Sequence, residues 1–208
     1  MKLYYSNGAC SLTVRITLHE MGIPCEYEAV NLKTKVTESG ANYLEINPKG
    51  YVPALLLDKN ELITEIPVIL QYLADTHPAT ELLAPMGNMN RYRTLEWLNF
   101  IATELHKSAG SLFGSRFPEE IKQTVFIPLL RSKLAIVDKQ LSGNKFLIGN
   151  KVTLPDAYMF VILTWLVRMK IDISTWPNLV RYFKDMNSRP AVQQALKEEG
   201  LADAVSVD

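Results

Sequence analysis

Residues 47–75 read N-P-K-G-Y-V-P-A-L-L-L-D-K-N-E-L-I-T-E-I-P-V-I-L-Q-Y-L-A-D, and no other stretch restricts the possible folds as much. Asn47-Pro48-Lys49-Gly50 is a turn. The apolar run Ala54 to Leu57 and the short run Leu62-Ile63-Thr64 stand on either side of Asp58-Lys59-Asn60, the pattern of a β-hairpin. Pro67 occupies a first helical position, where a missing N–H loses no hydrogen bond, and Ile66, Ile69, Leu70 and Leu73 recur at helical spacing. Pro53 heads an apolar strand although proline cannot donate to a sheet ladder. It is either a trans proline opening an ordinary strand or part of a cis Val52-Pro53 bond. The cis form turns the chain and leaves the Val52 backbone outward, able to pair with an extended peptide.

Upstream, Lys2 to Tyr5 is β-prone, and residues 11–21 are helix-like, with Val14, Leu18 and Met21 on one face and Arg15 and His19 off it. Gly22-Ile23-Pro24 ends that helix. Residues 25–30 read as a second strand, so a parallel β-α-β unit is expected. Residues 37–46 read as a weak polar helix, giving β-α-β-α-β-β-α and a mixed four-stranded sheet with helices on it. His77-Pro78 and Pro85-Met86-Gly87-Asn88 break the pattern, which places a linker at about residues 76–88 and divides the chain into 1–80 and 81–208.

The second part reads as all-helical. Long helices are expected over residues 91–107 and 118–141, the latter kinked or interrupted at Pro128. Thr153 and Asp156 have capping-box spacing before the run 157–167, which is apolar nearly all round and reads as the buried central helix. Two more helices open at Trp176-Pro177 and Arg189-Pro190, and the tail 202–208 looks loose.

Lys plus Arg and Asp plus Glu each number 22, so no net field favours nucleic acid or an anionic membrane. No apolar run approaches the roughly 20 residues of a membrane span, and Met1-Lys2-Leu3-Tyr4-Tyr5-Ser6 turns polar too soon for a signal peptide. Two cysteines, Cys10 and Cys25, make no disulfide framework, which suits a reduced, cytoplasmic protein. The three histidines are scattered and no metal-ligand spacing occurs, so no metal is expected.

Cys10 lies between a strand and a helix beginning near Ser11. A thiol there feels the positive end of the helix dipole and can become a thiolate nucleophile; the other reading is a buried cysteine acting as a small hydrophobe. Cys10-Ser11-Leu12-Thr13 is not C-x-x-C, so no internal dithiol cycle is available. On the helix 91–107, Asn99, Thr103 and His106 fall within about 60° of arc at 100° per residue, with Tyr92 and Glu96 beside them. That polar stripe either faces solvent or serves a site. Glu65, just before the helix at Pro67, is either a favourable helix-start charge or a group for an ammonium ligand.

N-P-K-G-x-V-P-A-L-L-L-D, the following T-E and the helix ending Q-Y-L-A-D resemble the N-terminal domain of glutathione S-transferases. With Tyr5, Cys10, Ser11 and Glu104-Leu105-His106-Lys107, nearly the whole chain is similar to the bacterial beta class. The resemblance implies a thioredoxin-like domain, a cis Val52-Pro53 bond, an all-helical second domain and a homodimer. It implies glutathione as co-substrate and a small apolar electrophile as the other substrate.

Residue by residue, the resemblance implies Cys10 as the reactive group, able to form a mixed disulfide with glutathione. It places Asn99 and His106 at the interdomain cleft with His106 assisting Cys10, and lets Tyr5 or Ser11 assist. Thr103 shares their stripe and joins the glutathione-binding set. The Val52 backbone at Pro53 would take the cysteinyl part of glutathione, Glu65 and the Ile66 amide the γ-glutamyl end, and Lys35 a carboxylate. Ile66 replaces the small or hydroxyl residue usual in the family, so only its backbone can serve. The alternatives are a glutathione-dependent thiol-disulfide reductase or peroxidase, and a non-enzymatic regulator on the same fold.

Overall fold

Leu3 and Tyr4 are buried at the centre of strand β1 (Lys2–Tyr5), which runs parallel to β2 (Glu26–Asn31) and antiparallel to β4 (Ala54–Leu56). Helix α1 (Leu12–Met21) forms the crossover that the parallel pair requires, and it ends at Gly22, which is left-handed at φ 65°. The expected hairpin is present: β4 pairs with β5 (Leu62–Thr64) in the register Leu55 opposite Ile63. Helix α3 (Ile66–Thr76) comes next, with Ile66, Ile69, Leu70 and Leu73 buried.

The sheet differs from expectation in one strand. Its order is β3-β2-β1-β4-β5, five strands rather than four, because Val36–Thr37 (β3) pairs antiparallel with β2. The polar helix expected over residues 37–46 shrinks to one turn, α2 (Tyr43–Ile46), capped by the Asn42 side chain, which accepts from the Leu44 N–H. Thr37 is drawn into the edge because its side chain is buried and its hydroxyl accepts the Ala41 N–H.

In this computed structural model, which describes residues 1–78 and 81–205, the chain forms two compact units. One comprises Met1–Thr80 with Arg189–Asp203, and the other Glu81–Ser188 with Ala204–Asp208. Part of the expected linker (79–80) and the end of the tail (206–208) lie outside the described residues. Residues 189–203, read from the sequence with the helical half, pack in the first unit. Helix α10 (Pro190–Glu198) buries Val192, Ala195 and Leu196 and lies along α1. Arg189 clamps Glu20 of α1 through Nε at 2.6 Å and Nη2 at 2.7 Å, the bidentate geometry that makes guanidinium–carboxylate pairs specific.

The second unit is helical, as expected. Helix α4 (Met89–Phe100) passes through a π segment, Ile101–Leu105, into α5 (His106–Gly110). The next helix does the same, from α6 (Glu119–Ile121) through Lys122–Phe126 into α7 (Ile127–Leu141). Pro128 accounts for the second π segment. It lacks an N–H to return one turn back, and the Ile127 N–H reaches the Lys122 carbonyl, five residues behind. Helix α8 (Leu154–Arg168) is buried from Leu154 to Leu166, the expected central helix, and α9 (Pro177–Asn187) packs on it.

The capping box holds the entry to α8. Asp156 accepts from the Thr153 N–H at 2.7 Å, the Thr153 hydroxyl at 2.8 Å and the Leu147 N–H at 3.0 Å. No helix among the described residues is long and apolar enough to cross a membrane.

Candidate functional site

The loop from β1 into α1 is closed on itself before Cys10 is reached. Ser11 is fully buried; its hydroxyl accepts the Ser6 N–H at 3.2 Å and donates to the Ser6 carbonyl at 3.3 Å. Ser11 is therefore spent on the loop rather than presented to a ligand. Cys10 stands at the start of the helical turns, its carbonyl accepting the Thr13 N–H at 3.1 Å. The first turn of α1 carries no acidic residue, so the positive end of the helix is not offset by a side chain of its own. Cys10 is half-buried, and its Sγ donates to the Val52 carbonyl oxygen at 3.2 Å.

The Val52-Pro53 bond is cis, the second of the two sequence readings. The segment in front of it lies outside the sheet ladder, and side chains satisfy its carbonyls one after another. Lys35 Nζ donates to the Gly50 carbonyl at 2.7 Å, and Asn47 Nδ2 and the Tyr43 hydroxyl each donate to that of Tyr51 at 2.8 Å. Cys10 then donates to Val52, whose carbonyl was expected to face outward. Gly50 is required here: at φ 67° a Cβ would be strained, and it would meet Leu44 Cδ2 at 3.0 Å. Lys35 is half-buried and also stands 5.6 Å from the Tyr51 ring centroid, so it is fixed in place rather than a solvated loop charge.

Glu65 is the N-cap of α3 with φ 71°, and its exposed carboxylate pairs with Lys49 Nζ at 2.9 Å. The same ammonium donates to Thr64 Oγ1 at 2.9 Å. The Ile66 side chain is buried, so what the helix start offers at that residue is its backbone N–H, which helix geometry leaves without an intrahelical acceptor. Lys49 was not singled out from the sequence. Its position in the turn opposite the end of the hairpin was the available signal.

Arg15 was expected off the packed face of α1, yet it is 3% exposed. Its guanidinium lies 4.3 Å from the Tyr5 ring centroid and 3.8 Å from that of Tyr27, positions that gain cation–π attraction. Its Nε donates to Glu199 Oε1 at 3.1 Å and its Nη1 to Glu198 Oε2 at 2.9 Å. Glu199 Oε2 accepts the Gly8 N–H at 2.8 Å, so the end of α10 holds the loop that carries Cys10. Burial pushes the Glu199 carboxyl up to about 7, against the pull of Gly8 and Arg15. Tyr5, a candidate assistant to Cys10, thus has one ring face occupied by Arg15.

In the second unit the candidate stripe does not hold together as expected. Asn99 and Thr103 are exposed, and their side chains return to their own helix, Asn99 Nδ2 to the Leu95 carbonyl at 2.8 Å and Thr103 Oγ1 to the Asn99 carbonyl at 3.0 Å. His106 is half-buried, its Nδ1 2.5 Å from the Tyr158 hydroxyl. The reason is the π segment at Ile101–Leu105. It inserts one residue and rotates the residues beyond it by roughly 100° from constant α-helical phase. The Glu104 carbonyl in that segment is satisfied by side chains, Ser108 Oγ at 2.6 Å and Lys133 Nζ at 3.3 Å.

Tyr158 was hidden in the apolar run of α8. The usable signal was that a buried tyrosine hydroxyl usually needs a partner. On another face of this unit, Trp97 and Phe100 meet edge to face at 5.5 Å and line a groove of about 570 Å³ with Arg93, Ile136 and Leu147. Among the described residues no three His, Cys, Asp or Glu side chains are grouped to hold a metal ion.

Comparison with known proteins agrees with this architecture. A family model for the glutathione S-transferase N-terminal domain matches residues 8–76, and one for the C-terminal domain matches residues 100–190. The chain is 45% identical over 201 residues to glutathione S-transferase GstA of Escherichia coli O157:H7, covering 97% of this chain and all of that protein. Among solved structures, a sphingomonad glutathione S-transferase complexed with glutathione superposes with a TM-score of 0.91 at 41% identity, over 97% of this chain and 100% of that one. A bacterial beta class glutathione S-transferase from Sphingomonas chungbukensis gives 0.92 at 39% identity, with the same coverage of both chains.

Proposed function

Because the chain belongs to the glutathione S-transferase family, we propose that it is a cytoplasmic, homodimeric enzyme that conjugates glutathione to small apolar electrophiles. One observation carries this reading. Three of the four residues before Pro53 each contact a different candidate: Lys49 meets Glu65, the Gly50 carbonyl takes Lys35, and the Val52 carbonyl takes Cys10. A tripeptide laid along this segment meets an acidic group for its ammonium, a cation for a carboxylate and a thiol beside its sulfur. The Val52 backbone at Pro53 and the Ile66 amide supply main-chain contacts.

In conjugation, the glutathione thiolate attacks the electrophilic carbon, a C–S bond forms and the leaving group departs with its electron pair. The positive end of α1 favours the negative sulfur. Asn99, Thr103 and His106 of the second unit are the further glutathione-binding residues of this reading, with His106 assisting the sulfur. Tyr5, with Arg15 over one face of its ring, assists the sulfur through its hydroxyl, and Ser11 supports the loop that carries Cys10.

A second reading is favoured by Cys10 having no resolving cysteine at Thr13. Cys10 thiolate attacks the glutathionyl sulfur of a mixed disulfide, the other thiolate leaves, and Cys10 is glutathionylated. A second glutathione thiolate then releases oxidised glutathione and restores Cys10. Both activities are measured in wild type and Cys10→Ala, using an aryl halide and a glutathione mixed disulfide. Oxidised glutathione should trap one glutathione on Cys10, seen by intact mass and peptide mapping. Label on Cys25 alone, or full reductase activity in Cys10→Ala, overturns the Cys10 assignment. Absence of both activities in the wild type leaves the non-enzymatic regulator.

A further inference from the structure

We propose that Tyr158 is a positioning residue that fixes the imidazole of His106 as a neutral hydrogen-bond donor through Nε2. This deepens the proposed function and rests on the reading that His106 assists the sulfur.

The contacts are local to the second unit. Tyr158 is 1% exposed on α8, and its hydroxyl meets His106 Nδ1 at 2.5 Å. The His106 ring stands edge to face with Trp165, at 5.0 Å and 80°, and with Tyr158 itself, at 5.8 Å and 90°. Trp165 is in turn braced by Phe113 at 5.2 Å. On the side of α5, a Cβ added at Gly110 would lie 3.8 Å from His106 Cδ2. The ring is therefore packed by two residues of α8, seven apart and so on one face. The π segment is what delivers His106 to this cage, since its last bond runs from the His106 N–H to the Ile101 carbonyl.

Which nitrogen carries the proton is set by the hydrogen bond the other makes. A phenol is a far stronger acid than the N–H of neutral imidazole, whereas an unprotonated imidazole nitrogen is a good base. The favoured arrangement has the Tyr158 O–H donating to Nδ1, which leaves the ring proton on Nε2. In that tautomer His106 supplies a donor at Nε2 and is not a base there. Such a group stabilises a thiolate by hydrogen bonding and takes no proton from a thiol. This residue pairing thus sets the role of the histidine in the reaction, not only its place.

The experiment combines a tautomer readout with kinetics. Two-bond ¹H–¹⁵N spectra of the ¹⁵N-labelled protein are recorded near pH ~8, above the ordinary titration range of imidazole. The His106 signals are assigned by their loss in His106→Ala, leaving His19 and His77. The wild type should show Nδ1 unprotonated and Nε2 protonated. Tyr158→Phe keeps the ring and removes the hydroxyl, so it should shift His106 toward a tautomer mixture. It should also lower kcat by roughly 3–10-fold, the loss of one hydrogen bond, with KM for glutathione within about twofold.

A wild-type Nδ1–H tautomer, or a His106 spectrum unchanged in Tyr158→Phe, overturns the proposal. Full kcat in Tyr158→Phe overturns the positioning role. Full turnover in His106→Ala removes His106 from the reaction, which is failure of the underlying reading; the spectra then still decide the tautomer by themselves.

Discussion

Glu65→Gln removes one charge and almost no volume at the start of α3, and the structure sets the size of its effect on glutathione binding. A hydrogen bond to a charged group contributes about 1.5–3 kcal/mol. The Glu65 carboxylate, however, is already paired with Lys49 at 2.9 Å, with the two side chains 64% and 55% exposed. An exposed pair of this kind is worth only ~0.2–1 kcal/mol, and an incoming ammonium displaces or shares it. The difference leaves about 1–2 kcal/mol, a weakening of roughly 5–30-fold in Kd.

Calorimetric titration with glutathione measures this directly, and repeating it at higher salt should shrink the effect as screening rises. Lys49→Met should leave the affinity unchanged or raise it by up to about threefold, because the competing cation is gone. Two results refute the reasoning: a change under about twofold in Glu65→Gln, or a loss in Lys49→Met as large as that in Glu65→Gln. The second would make Lys49 a ligand of glutathione rather than its competitor.

Arg15→Met removes the cation shared by Glu198, Glu199 and the Tyr5 and Tyr27 rings and should destabilise the chain by more than about 1 kcal/mol, read by thermal or denaturant unfolding; a smaller loss overturns the buried cluster's importance. The folded Glu199 carboxyl sits at about 7 against an ordinary 4.5. Between those values the native state holds a proton that the unfolded state has lost, so stability falls as pH rises through that window. Glu199→Gln should flatten that part of the stability–pH curve, and an unchanged slope counts against it. Asp156→Ala leaves the Leu147 and Thr153 N–H groups without their acceptor and should cost about 2–4 kcal/mol of stability; unchanged unfolding contradicts this. Sedimentation at micromolar concentration should give a homodimer, with apolar surface around Trp97, Phe100 and Ile136 available for burial; a monomer refutes it.

Much of the fold was legible because its signals are local. A strand-turn-strand pattern, a proline at a first helical position and a glycine past a helix end are preferences of a few neighbouring residues. The hairpin of β4 and β5, the α1 crossover and the capped, buried α8 all arise from them. Cys10 at a helix start and Glu65 before Pro67 could be placed for the same reason. Other features depend on partners far along the chain. Thr37 reads as polar helix until pairing with Val30 makes it a sheet edge. Arg15 reads as a surface cation until the end of α10 brings Glu198 and Glu199 to it, more than 180 positions later.

Within the candidate site the division is the same. Periodicity placed Asn99, Thr103 and His106 on one stripe by assuming a constant 100° per residue. The π segment, whose Glu104 carbonyl accepts from Ser108 and Lys133, breaks that phase, and α8 then supplies Tyr158 and Trp165 to the imidazole. Sequence alone determined which residue types could do chemistry and roughly where each stands on its element. Packing between elements decided which atoms those residues face, because a buried polar group must find its hydrogen-bond partner wherever the fold brings one.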